Sequence, residues 1–138
     1  MTLHPDFPRV SGDYRLSDDW VLTLPAEMNR RMEDKHLVLW RPGFSVWMSL
    51  WNNCYGESIQ DRLQWLQLDT NPAAFDTSLR ADDTPARYSY RLNEEREEGV
   101  VYGLYGFALK TDGYVQIAIY VDHEADLANA ELLFNSLH

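Results

Sequence analysis

Apolar and polar residues alternate along much of this chain, and in two places a helical spacing replaces the alternation. The cleanest alternation runs from Phe44 to Trp51: Phe44, Val46, Met48 and Leu50 fall on one face, and Ser45, Trp47, Ser49 and Trp51 on the other. Five further segments read as strands: Trp20–Leu24, stopped by Pro25; His36–Arg41; Tyr88–Leu92; Val100–Leu109; and Tyr114–Val121. A short edge strand is expected within 75–83. Pro42-Gly43 and Asp112-Gly113 are turn signals that make hairpins of their flanking strands. Between Glu57 and Leu68 the period changes. Ile59, Leu63 and Leu66 recur at helical spacing, with Gly56 or Ser58 as the cap and Asn71-Pro72 marking the end. A second helix is expected over 124–137, with Leu127, Ala130, Phe134 and Leu137 as its stripe and Asp122 as its N-cap.

The remaining segments are less regular. Residues 1–18 contain Pro5, Pro8 and Gly12 and read as an irregular N-terminal arm, with Phe7, Val10, Tyr14 and Leu16 available to dock on the domain. Residues 26–34 carry Met28 and Met32 at helical spacing and read as a turn of helix or a loop. The run Glu94 to Gly99 reads as a charged, solvated hairpin tip. The expected fold is a single α+β domain over 1–138: a twisted, mainly antiparallel sheet of five to seven strands with two principal helices, sandwich-like.

The last hairpin sharpens this picture. With Asp112-Gly113 as its loop, Thr111 faces Tyr114 and pairing runs back from there. One face then carries Val115, Ile117, Ile119 and Val121 beside Ala108, Gly106 and Leu104. Small residues next to β-branched ones leave room for the C-terminal helix there. The other face carries Tyr105, Phe107, Tyr114 and Tyr120. An antiparallel sheet with one wet side alternates apolar with polar, and this face does not, so it too needs a cover. The helix over 57–68, the arm, another subunit or a ligand could supply it. These four rings, with acidic groups at their margin, form the expected interaction surface, since aromatic anchors inside a polar rim are the usual makeup of an interface.

Composition restricts the partner. The 138 residues carry a formal charge of -10, and 13% are aromatic. Phosphate backbones and anionic membrane surfaces would be repelled, so neither nucleic acid nor membrane is an expected partner. A basic protein would be attracted and its association accelerated, or the same face could close a homodimer. The lone Cys54 permits no internal disulfide, no basic-then-apolar leader opens the chain, and no apolar run reaches membrane-spanning length, so the expected location is the cytoplasm.

Catalytic chemistry is hard to assemble from these residues. His123 between Asp122 and Glu124 reads as a helix start with surface charges, because adjacent side chains there point apart. Nothing in the spacing pairs Cys54 with one of the four histidines. Gly99, Gly103 and Gly106 do not lead from a strand into a helix, so packing space explains them better than a phosphate loop. No catalytic residue, metal ligand or cofactor is expected. The rival to a binding protein is a small-molecule or hydrolytic domain with a pocket lined by Trp40, Trp47, Trp51 and Tyr105.

The order of elements resembles the Mog1/PsbP-like domains. The residues carrying the resemblance are Trp20 to Pro25, the strand pair His36 to Trp51 leading to a helix, and Tyr114 to Val121 passing straight into the closing helix that ends Phe134-Asn135-Ser136-Leu137. The resemblance implies a twisted antiparallel sheet between helices and a binding, assembly or chaperone-like role, including adaptor or immunity-type proteins tied to bacterial secretion. It carries over no functional residue, and the segment 25–35 is shorter than the helix that family would place there.

Overall fold

Long β-rich runs joined by tight turns can only pair with their neighbours, and most of the sheet follows from that. In a computed structural model describing residues 2–138, the strands are β1 (Arg9–Val10), β2 (Asp13–Arg15), β3 (Val21–Thr23), β4 (Met28–Glu33), β5 (His36–Arg41), β6 (Phe44–Asn52), β7 (Phe75–Arg80), β8 (Ala86–Arg91), β9 (Glu94–Arg96), β10 (Gly99–Lys110) and β11 (Gly113–Val121). The helices are α1 (Ile59–Leu68) and α2 (Leu127–Ser136), the latter preceded by one 3-10 turn over Glu124–Asp126. Nine strands form one antiparallel sheet in the order β1-β4-β5-β6-β11-β10-β8-β7, with β9 pairing β10 beside that path; β2 and β3 form a separate pair.

The fold is therefore α+β with an antiparallel sheet, as expected, but the sheet is wider than five to seven strands. The additions come from segments that looked irregular. Met28 and Met32, four residues apart, fit one helical face, yet four is also a multiple of two, and the segment is strand β4. Asp34 and Lys35 turn it back onto β5 with φ of 48° and 70°. Positive φ at both central residues is the geometry of a type I′ hairpin, reached here without the usual glycine. Part of the arm is likewise strand: β1 pairs with β4 and β2 with β3. The buried amide of Asn29 holds the arm, accepting from the His4 N–H at 2.7 Å and donating to the His4 carbonyl at 3.0 Å.

The β10–β11 turn is Thr111-Asp112, so Lys110 faces Gly113 and Leu109 faces Tyr114. The expected pairing was two residues out of register. Gly113 serves a different purpose from the one its neighbour Asp112 implied. A Cβ at Gly113 would stand 2.1 Å from the carbonyl oxygen of Trp51 on β6, so glycine allows strand approach there. An even shift keeps every side chain on its expected face.

Accordingly α2 lies where expected. Ala130, Leu133, Phe134 and Leu137 pack on Leu104, Ala108, Val115, Ile117 and Ile119 in the main core. Asp122 does not cap α2; the 3-10 turn intervenes, and the Asp122 N–H instead donates to the Gly43 carbonyl at 3.1 Å. At the other end of α2 the buried Arg87 guanidinium donates to the Phe134 carbonyl at 2.9 Å and to the Leu137 carbonyl. It thereby satisfies orphan acceptors of the last turn. No helix among the described residues is long and apolar enough to cross a membrane.

Candidate functional site: a half-covered aromatic sheet face

The face opposite α2 is divided between two environments, and strand register shows where. Four cross-strand rows run over β6, β11 and β10, and three of them reach β8. Two of them, Trp51–Tyr114–Leu109–Ala86 and Ser49–Gln116–Phe107–Tyr88, lie toward α1. Leu63 and Leu66 of α1 form a second core with Ala86, Tyr88, Phe107, Leu109 and Tyr114. Ser58 caps that helix, its hydroxyl accepting from the Asp61 N–H at 3.0 Å.

The other two rows lie beyond the α1 core, except at Tyr90, which packs against its edge. Trp47, Ala118, Tyr105 and Tyr90 make one row, extended onto β5 by Val38; Trp40, Ser45, Tyr120 and Gly103 make the next. Val38 is fully buried, whereas Trp40, Trp47, Tyr90, Tyr105 and Tyr120 are all half-buried. A groove of about 410 Å³ runs along this half, with Trp40, Trp47 and Arg31 on one bank and Tyr120 and Arg96 on the other.

The rings here are held in place. Tyr90 and Tyr105 stack with centroids 5.3 Å apart and planes at 9°, and the Tyr105 and Tyr120 hydroxyls are hydrogen-bonded at 3.0 Å. Burial pushes the phenols of Tyr90 and Tyr105 above the ordinary tyrosine range, and for Tyr105 the bond to Tyr120 adds to it. The Arg31 guanidinium lies 4.5 Å from the Trp40 ring centroid and 5.6 Å from that of Trp47, and Glu33 binds its far side at 2.8 Å. Phe7 of the arm meets Trp40 edge-on at 4.9 Å.

The four expected surface residues thus part company. Tyr105 and Tyr120 stand on the open half, while Phe107 and Tyr114 are buried beneath α1. Those two are core, because α1 needs an apolar bed for Leu63 and Leu66 and their rows lie beneath it. The rival pocket also divides. Trp40 and Trp47 share the groove, Trp51 lines a different recess, and Tyr105 lines neither. Sequence reading missed Arg31, because β4 was not recognised as a strand, and Tyr90, which the alternation of β8 could have placed opposite Tyr105. Nor do acidic groups dominate the margin: Arg31, Arg41 and Arg96 stand against Glu33, Glu94 and Asp122.

No family model and no curated protein sequence matches this chain. Among solved structures it is similar to a protein of Bacteroides thetaiotaomicron VPI-5482, with a TM-score of 0.67 at 14% identity, over 94% of this chain and 48% of that one. The chain therefore spans about half the length of that relative, and the likeness is one of fold.

Proposed function

We propose that this domain is a non-enzymatic protein-binding module whose partner seats on the open half of the aromatic face. The observation that carries the reading is the division of one continuous aromatic sheet face into a half packed under α1 and a half whose rings stay part-exposed. Rings held by stacking, by the Tyr105–Tyr120 hydrogen bond and by the Arg31 guanidinium lose little side-chain freedom when a partner covers them. Trp and Tyr are the side chains most often found as interface anchors. The charge at the groove is balanced, so the contact itself is apolar and aromatic, and the overall -10 acts at longer range by favouring encounter with a basic protein. An adaptor, chaperone or immunity-type role tied to bacterial secretion agrees with the resemblance to Mog1/PsbP-like domains.

The test is an alanine series in the groove. Trp47→Ala and Tyr120→Ala should each weaken capture of the partner by ~1–3 kcal/mol, as at a hot spot, with the melting transition retained. Leu132→Ala, on the exposed side of α2, should leave capture unchanged. Equal effects at all three positions would contradict the reading. The groove volume also suits a small ligand. Competition for the groove by a dialysable molecule, with no protein captured, would favour that second reading.

A further inference from the structure

A second recess, of about 610 Å³, opens on the same sheet face where the chain passes from β6 into α1. Two indoles line it, Trp51 from β6 and Trp65 from α1, and they are 52% and 51% exposed; Tyr55, also lining it, is 87% exposed. These indoles are fixed. Trp51 stacks on Tyr114 with planes at 11° and centroids 6.1 Å apart. The Arg62 guanidinium lies 5.1 Å from the Tyr114 centroid and 5.7 Å from that of Trp65, and Glu57 binds it at 2.5 Å. A stack of indole, guanidinium, phenol and indole therefore holds two flat apolar surfaces open to water, where simple burial would have folded them away.

The polar groups of the recess narrow the ligand. Arg62 is already engaged by Glu57. Asn52, Gln116, Tyr55 and Asp69 stand exposed around it: two neutral amides, a phenol and one carboxylate. Amides and carboxylates present paired sites that match neighbouring hydroxyls. With its one cation taken, the recess has little to offer a phosphate or sulfate. A chain of rings, each with an apolar face and hydroxylated edges, makes contact with successive platforms.

We propose that this recess binds a neutral oligosaccharide, stacked on Trp51 and Trp65 and hydrogen-bonded through Asn52, Gln116 and Asp69. The proposal is independent of the protein-binding reading of the neighbouring half. It is tested by tryptophan fluorescence and calorimetric titration of the whole chain with cellopentaose, maltopentaose, mannopentaose and xylopentaose, each to about 10 mM. At least one should bind saturably. Trp51→Ala and Trp65→Ala should each weaken it at least about tenfold with the melting transition retained, and Trp47→Ala should not. No saturable binding by any of the four, or binding indifferent to both indoles, overturns the proposal. So does a photocrosslinker at Trp65 that captures a protein while no sugar binds, which would assign the recess to a protein interface.

Discussion

The hydroxyls of Tyr105 and Tyr120 lie 3.0 Å apart although the two residues are not register partners. Tyr105 faces Ala118, and Tyr120 faces Gly103. A Cβ at Gly103 would come within 3.1 Å of the Tyr105 ring, so the missing side chain lets that ring lie across toward Tyr120. Burial, reinforced by this bond, keeps the Tyr105 phenol neutral above the usual range. The folded pKa exceeds the unfolded one, so the stabilisation is fully present below an unfolded value of about 10 and is lost as pH rises through the folded value. Tyrosinate absorbance followed against pH should show Tyr105 ionising late. Tyr120→Phe should bring that ionisation to lower pH; an unchanged titration would rule the hydrogen bond out as a cause.

Gly106 sits beneath Phe134 of α2, and a Cβ there would stand 2.5 Å from the nearest ring carbon. Gly106→Ala should destabilise the domain by ~1–3 kcal/mol through overpacking. Adding Phe134→Leu should recover part of that loss, whereas additive losses in urea unfolding would show that the two positions do not touch.

Arg87 is a buried cation satisfied by carbonyls rather than by a carboxylate. Desolvation lowers its pKa, with repulsion from Arg80 second. Arg87→Met would leave the Phe134 and Leu137 carbonyls without this donor and should cost about 1–3 kcal/mol. The neighbouring Arg80, more exposed and paired with Asp83 at 3.9 Å, should cost less than about 1 kcal/mol on replacement by Ala. Denaturant midpoints compare the two directly.

The two halves of the aromatic face should respond unequally to truncation. Phe107→Ala, beneath α1, should cost ~3–5 kcal/mol of stability. Trp47→Ala, in the groove, removes a ring that is only partly buried and should cost clearly less. Thermal melts of the pair check this, and equal losses would mean the open half is core as well.

Much of this architecture is legible in the chain, and the failures have definite causes. Helix α2 over the Val115 face was readable because Gly106 and Ala108 beside β-branched residues signal close approach. Strand β4 was missed because Met28 and Met32 satisfy both periods and because Asp34-Lys35 makes a tight turn without glycine. The hairpin register was misplaced because Gly113 resembled a turn residue while its reason for being glycine lies on β6, far away in sequence. The four residues of the expected interaction surface are divided between core and part-exposed positions for a related reason. Alternation assigns Tyr105, Phe107, Tyr114 and Tyr120 to one face, but which rows a ten-residue helix covers depends on where the β6–α1 connection sets it down.

The central claim is that the uncovered half of the sheet face is where a protein partner sits. Site-specific photocrosslinking in the producing cell tests it most directly, with the crosslinker placed in turn at Trp47, Tyr120 and Leu132. The account predicts one discrete protein adduct, shared by Trp47 and Tyr120 and absent at Leu132. No adduct from either groove position, or the same adducts from Leu132, would contradict it.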